Sequence, residues 1–129
     1  MELLQVAQRA TDLDRAVAFY RDLLGAAPTA IFDPPGLAFF QLGGVRLLLD
    51  RGAPTALLYL QVADIHGTVA RLRDSGITIE AEAHVIFTHG DDALGPAGTN
   101  EWMAFIRDSE DNVVGLVSQV PVEAGSAER

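Results

Sequence analysis

The feature that constrains this chain most is that it repeats itself. The segment TDLDRAVAFYRDLLG, beginning at Thr11, aligns with ADIHGTVARLRDSG, beginning at Ala63. Asp12 matches Asp64, Val17 matches Val69, Ala18 matches Ala70, Arg21 matches Arg73 and Asp22 matches Asp74, each pair 52 positions apart. A chain that repeats one unit at a fixed interval is expected to fold as copies of one supersecondary module. Each copy reads as strand, helix, then three strands.

In the first copy Met1–Arg9 reads as a strand. Gln5, Ala7 and Arg9 share one face, because side chains alternate along a strand. Thr11 is the expected N-cap of the helix that follows, with Asp14 as its capping-box partner. Leu13, Ala16, Val17, Tyr20, Leu23 and Leu24 then fall at i, i+3, i+4, i+7 spacing and form one apolar stripe. Gly25 ends the helix, with Pro28 just beyond. Strands are expected over about Thr29–Phe32, Leu37–Leu42 and Val45–Leu49. Gly43-Gly44 between the last two is a two-residue hairpin turn. Arg51–Pro54 is a linker.

In the second copy Ala56–Val62 is a strand, Asp64 an N-cap, and Ile65–Ser75 a helix that turns Ile65, Val69 and Leu72 inward. Gly76 ends it. Thr78–Phe87 supplies the next strand. The chain closes with a hairpin in which Trp102–Ile106 and Val113–Val120 flank the polar turn Asp108-Ser109-Glu110-Asp111-Asn112, whose residue types favour local side-chain capping of the backbone. Between them, Thr88–Glu101 is rich in glycine and without periodicity, and loops of this length serve as lids or as spacers. It lacks the Gly-Lys-Ser/Thr ending and the following helix that a phosphate-binding loop needs. The reading is one domain over 1–120, with module one at 1–51, module two at 56–120 and a disordered tail at 121–129.

Composition excludes several function classes. The chain has 129 residues, 49% hydrophobic and 21% charged, and no apolar run near the roughly 20 residues of a membrane span. It has no Cys, so no disulfide framework and no thiolate metal site. No basic region followed by an apolar one marks a signal peptide. The cytoplasm is the expected location, and no membrane partner is expected. The net charge of −9, with scattered basic residues, argues against nucleic acid. Acidity of this size serves solubility or draws a cationic ligand.

The two βαβββ modules, DLDRAVAFYRDLLG near the start and WMAFIRDSEDNVVGL near the end resemble the vicinal oxygen chelate superfamily, the group of glyoxalases, bleomycin-resistance proteins and extradiol dioxygenases. The resemblance covers almost the whole chain. The usual Asp-Pro-(Asp/Glu)-Gly-Asn turn stands here as Asp108–Asn112, with Ser109 for Pro and Asp111 for Gly. It implies an α+β fold, two βαβββ modules forming a curled mixed sheet around a cleft, and a homodimer. Metal-dependent members place four ligands on strands facing the cleft. Carried over by motif, those positions are Gln5, Leu48, Leu57 and Gly115. A divalent ion needs oxygen or nitrogen ligands, and only Gln5 offers one, so no metal and no cofactor are expected.

Strand alternation adds Arg46 and Asp50 to the face of Leu48, and Tyr59 and Gln61 to that of Leu57. Phe39, Phe40, Phe87 and Phe105 also lie on expected strands, as ligand wall or as core. Trp102 is core or a stacking surface for a planar or cationic ligand. His66 is expected on the exposed face of its helix. His84 either faces the cleft as a proton carrier or is structural, and His89 opens the glycine-rich loop. The site expected to bind a small-molecule ligand is therefore Gln5, Arg46, Leu48, Leu57, Tyr59, Gln61, His84, Trp102 and Gly115. The loop would gate it, and Gly115 would leave room for the ligand. The function implied is a metal-free small-molecule binding protein that sequesters an apolar or planar compound such as an antibiotic. The alternative is a lyase, isomerase or dioxygenase-like enzyme of the same fold, using His84, a nearby carboxylate or a metal at relocated ligands. No catalytic residue can be named.

Overall fold

The computed structural model describes residues 1–123 and contains two four-stranded mixed sheets, each backed by one helix. The strands are β1 (Gln5–Arg9), β2 (Ala30–Phe32), β3 (Leu37–Leu42), β4 (Val45–Asp50), β5 (Leu58–Gln61), β6 (Ile79–Thr88), β7 (Thr99–Arg107) and β8 (Val113–Pro121). The helices are α1 (Leu13–Leu24) and α2 (Ile65–Asp74). The sheets run β1-β4-β3-β2 and β5-β8-β7-β6, so the duplication read in the helices holds for the whole topology. In each, the first strand lies parallel to the last and the remaining pairs are antiparallel. This is the expected α+β architecture, built as two sheets. Among the described residues no helix is long and apolar enough to cross a membrane.

The chain divides into two compact units. The first comprises Met1–Leu57 together with Asp108–Asn112, and the second comprises, among the described residues, Leu58–Arg107 and 113–123. The turn between β7 and β8, expected in module two, thus belongs to the first unit. The reason is hydrogen bonding. The buried Asp108 carboxylate accepts from Tyr20 Oη at 2.6 Å, from the N–H groups of Glu110 and Asn112 at 2.8 Å each, and from Asn112 Nδ2 at 2.9 Å. Asn112 Nδ2 also donates to the Arg9 carbonyl, and its Oδ1 accepts from Thr55. Glu110 accepts from Arg15 Nε and Nη2, Thr11 Oγ1 and the Asp12 N–H at 2.7–3.0 Å. The linker is held by Gln8, fully buried, whose amide donates to the Ala56 carbonyl and accepts from its N–H.

Those bonds change the helix start. Asp12, not Thr11, is the N-cap of α1, and its Oδ1 accepts from the Arg15 N–H at 3.1 Å. The Thr11 hydroxyl is committed to Glu110 instead. Leu13, Ala16, Val17 and Tyr20 are the buried stripe, and Gly25 caps the helix in the left-handed region at φ 68°. Asp64 caps α2 as expected, and Ile65, Val69 and Leu72 are buried. Its C-cap is Ser75, with Gly76 one residue later. The left-handed φ of 65° at Asp111 falls where the family turn carries glycine. β8 runs through Pro121, and the Val122 N–H donates to the Gly98 carbonyl. Of the tail expected to be disordered, 124–129 lie outside the described residues.

Burial alone would push the Glu110 carboxyl up, but the hydrogen bonds from Arg15, Thr11, Asp12 and Ser109 outweigh it and hold the pKa at about 2. A carboxylate depressed in the folded state stabilises fully above its unfolded pKa and loses that contribution as pH falls through the folded one. Glu110→Gln is expected to cost about 1 kcal/mol at neutral pH, because solvent screens the half-exposed Arg15 side. The gap from wild type should close between about pH 4.5 and pH 2. Urea unfolding across that range measures it, and a gap independent of pH would contradict the assignment.

Candidate functional site

Strand register sorts the residues of the first sheet. α1 covers the face bearing Gln8, Ala38, Phe40, Leu47 and Leu49, all buried. The opposite face carries Gln5 beside Arg46, Gln41 beside Arg46, Phe39 beside Leu48, and Ala30 beside Phe39. On this open face lies a cavity of about 320 Å³, walled by Gln5, Phe32, Phe39, Gln41 and Arg46 with Thr29, Ala30 and Phe40. Arg46 Nε donates to Gln5 Oε1 at 3.1 Å, and its guanidinium carbon lies 5.8 Å from the Phe39 ring centre. Phe32 meets Phe39 edge-on at 6.0 Å. Gln41 Nε2 is tied to the Gly43 carbonyl. The structure therefore brings Gln5, Arg46 and Leu48 together on one face, with Leu48 only 8% exposed.

Phe32 and Gln41 are not among the expected site residues, and Phe39 is expected only as ligand wall or core. A signal for Gln41 and Phe39 is present in the sequence. A two-residue turn at Gly43-Gly44 pairs Leu42 with Val45, and therefore Gln41 with Arg46 and Phe39 with Leu48.

In the second sheet Tyr59, Gly115 and Phe105 stand side by side across three strands. The same face continues through Gln61, Met103 and His84, and through Gln119 and Glu101. His84 is exposed, with Nδ1 2.8 Å from the Glu82 carbonyl. Trp102 lies on the other face, the one that packs beneath α2, with its ring 4.7 Å from that of His66. It does not share a surface with Tyr59 and Gly115, because it stands an odd number of residues from Phe105. Leu57 precedes β5 and is 51% exposed.

The expected gate is shorter than Thr88–Glu101, because β6 reaches Thr88 and β7 begins at Thr99. The loop folds onto His89. That imidazole is buried, with Nε2 2.9 Å from Glu101 Oε1. Glu101 also accepts from Gln119, whose Oε1 accepts from Gln61 Nε2. A Cβ on Gly95 would sit 2.8 Å from the His89 ring, so only glycine fits there without a shift. With 2% of the His89 side chain exposed, this pair orders the loop rather than meeting a substrate.

The model of the glyoxalase/bleomycin resistance protein/dioxygenase superfamily matches residues 2–116. The chain belongs to that superfamily. No curated protein matches it in sequence. Among solved structures it is similar to a virulence protein from Salmonella typhimurium at 18% identity, covering 93% of this chain and 98% of the other, with a TM-score of 0.67. Lactoylglutathione lyase from Agrobacterium tumefaciens is 23% identical over 91% and 92% of the two chains, with a TM-score of 0.65. TnmS3, an antibiotic binding protein from Streptomyces sp. CB03234, is 19% identical over 92% and 96%, with a TM-score of 0.64. At these identities the likeness is one of fold.

The positions that the motif resemblance assigns to metal ligands, Gln5, Leu48, Leu57 and Gly115, carry one amide and no carboxylate or imidazole. Gln5 Oε1 is taken by Arg46, and two positions carry hydrocarbon. At the fourth, a Cβ on Gly115 would sit 2.8 Å from Tyr59 Cδ2 and 3.2 Å from Phe105 Cε1. The space glycine leaves is thus filled by two rings, which meet edge-on at 6.0 Å. Among the described residues no group of three or more His, Asp or Glu is placed to hold a metal. Tyr59 is half-exposed and can swing outward, so Gly115→Ala should cost about 1 kcal/mol. The cost should fall by about half in a Tyr59→Ala background. Urea unfolding of the four proteins measures this, and an equal cost in both backgrounds would show that Tyr59 does not fill the space.

Proposed function

We propose that this protein is a metal-independent binding protein that sequesters a planar, largely apolar small molecule in the cavity on the open face of the first sheet. The observation that carries the reading is that cavity. Its volume of about 320 Å³, its phenylalanine wall and its few convergent polar groups are the make-up of a small-molecule site. The antibiotic binding protein among its structural neighbours makes an antibiotic a reasonable ligand class. An enzyme reading would need a proton carrier at the ligand, and the residues walling this cavity include no imidazole and no carboxylate. His84, exposed on the second sheet, remains outside that wall.

The reading includes a homodimer in the cytoplasm. In the second unit Tyr59, Val85, Ile86 and Phe87 are exposed, and the last three lie on the edge strand β6. Apolar surface on an open edge favours pairing with another chain.

Native mass spectrometry of protein purified without chelator, with metal analysis of the same sample, tests the proposal. A dimer that retains a small molecule and no stoichiometric divalent metal is expected. Phe39→Ala should weaken binding of the retained compound about tenfold, through loss of one aromatic contact. One metal per chain would overturn the reading.

A further inference from the structure

Resting on the reading of the first-sheet cavity as a ligand site, we propose that the ligand is an aromatic carboxylate of about two fused rings, with its carboxylate seated on Arg46. Arg46 is the one charged residue in the cavity wall. Its Nε is engaged by Gln5 Oε1 at 3.1 Å, which orients the guanidinium plane and leaves its two terminal nitrogens for another acceptor. Among the described residues the ion-paired arginines are Arg15, Arg73 and Arg107, and Arg46 is not one of them. Arg9, Arg21, Arg51 and Arg71 are not in those ion pairs either, but Arg46 alone of the arginines walls the cavity, where its guanidinium can donate to an anion.

The rest of the wall sets the shape. Phe39 lies beneath the guanidinium, and Phe32 stands edge-on to Phe39 with an interplanar angle of 81°. A flat ring can therefore lie along one phenylalanine and abut the other while its carboxylate reaches the arginine. A cavity of roughly 150 Å³ holds benzene, so about 320 Å³ suits two rings. The sign is opposite to what the net charge of −9 suggests, because long-range attraction of a cation is screened within about 8 Å at physiological salt while contact pairing is not.

The test uses 2-naphthoate and its neutral isostere 2-naphthamide, titrated by calorimetry and by backbone amide shifts into wild type and Arg46→Met. Arg46 is exposed, and circular dichroism with thermal unfolding checks that the variant folds. The naphthoate is expected to bind about tenfold more tightly than the amide, a preference that falls to about twofold or less in Arg46→Met. Equal binding of both compounds to wild type, with shifts at Phe32 and Phe39, would overturn the carboxylate inference and leave the cavity reading standing. A naphthoate preference that survives in Arg46→Met would overturn it as well, by placing the anion elsewhere. No shift at Phe32, Phe39 or Gln41 with either compound at about 1 mM would overturn both the inference and the reading beneath it.

Discussion

The first unit depends on one buried carboxylate. Asp108 is 6% exposed and accepts four hydrogen bonds, from Tyr20, Glu110 and twice from Asn112. A buried charge is tolerated only when it is met this fully, and removing one donor would leave desolvation uncompensated. Burial pushes the Tyr20 phenol up, and the hydrogen bond to Asp108 adds to it, which favours the protonated, donating form. Tyr20 is also the last buried residue of the α1 stripe, so the same bond fixes how that helix lies on β3 and β4. Asn112 extends the network to Arg9 at the end of β1 and to Thr55 in the linker. The three residues this turn shares with the family pattern, Asp108, Glu110 and Asn112, are the ones that make these bonds.

The two units share a topology and differ in what their open faces carry. The first face has an arginine, two amides and two phenylalanines around a cavity. The second has Tyr59 and Phe105 closed over Gly115, then a chain of side-chain hydrogen bonds from Gln61 through Gln119 and Glu101 to His89. The first face keeps a cavity, and the second is filled by its own side chains and used to order a loop. Duplication supplies two equivalent sheets, but chemistry resides in side chains that the two copies need not share.

Much of this was legible beforehand. The apolar stripe of α1, the Gly25 cap, the Asp64 cap and the Gly43-Gly44 hairpin all follow from local spacing and turn chemistry. The juxtaposition of Gln5, Arg46 and Leu48 follows from alternation once the strands are placed. The errors share a cause. Thr11 looked like a cap until Glu110, distant in sequence, claimed its hydroxyl. Residue type leaves Trp102 as core or as a stacking surface, and strand parity sets it against α2. Gly115 was read as open space because a sequence shows what a residue lacks, not what moves in to fill it.

The sequence by itself determined the repeated module, the periodicity of each element and the poverty of ligand-capable side chains at the four inherited positions. These are properties of neighbours along the chain, where dihedral preference and 2.0 or 3.6 periodicity operate. Only the tertiary structure decided that the turn 108–112 joins the first unit, that Tyr59 and Phe105 occupy the space over Gly115, and that Arg46 stands in a phenylalanine-lined cavity without a carboxylate partner among the described residues. Each of these is set by packing and hydrogen bonding between residues tens of positions apart, and close packing admits only one occupant for each space.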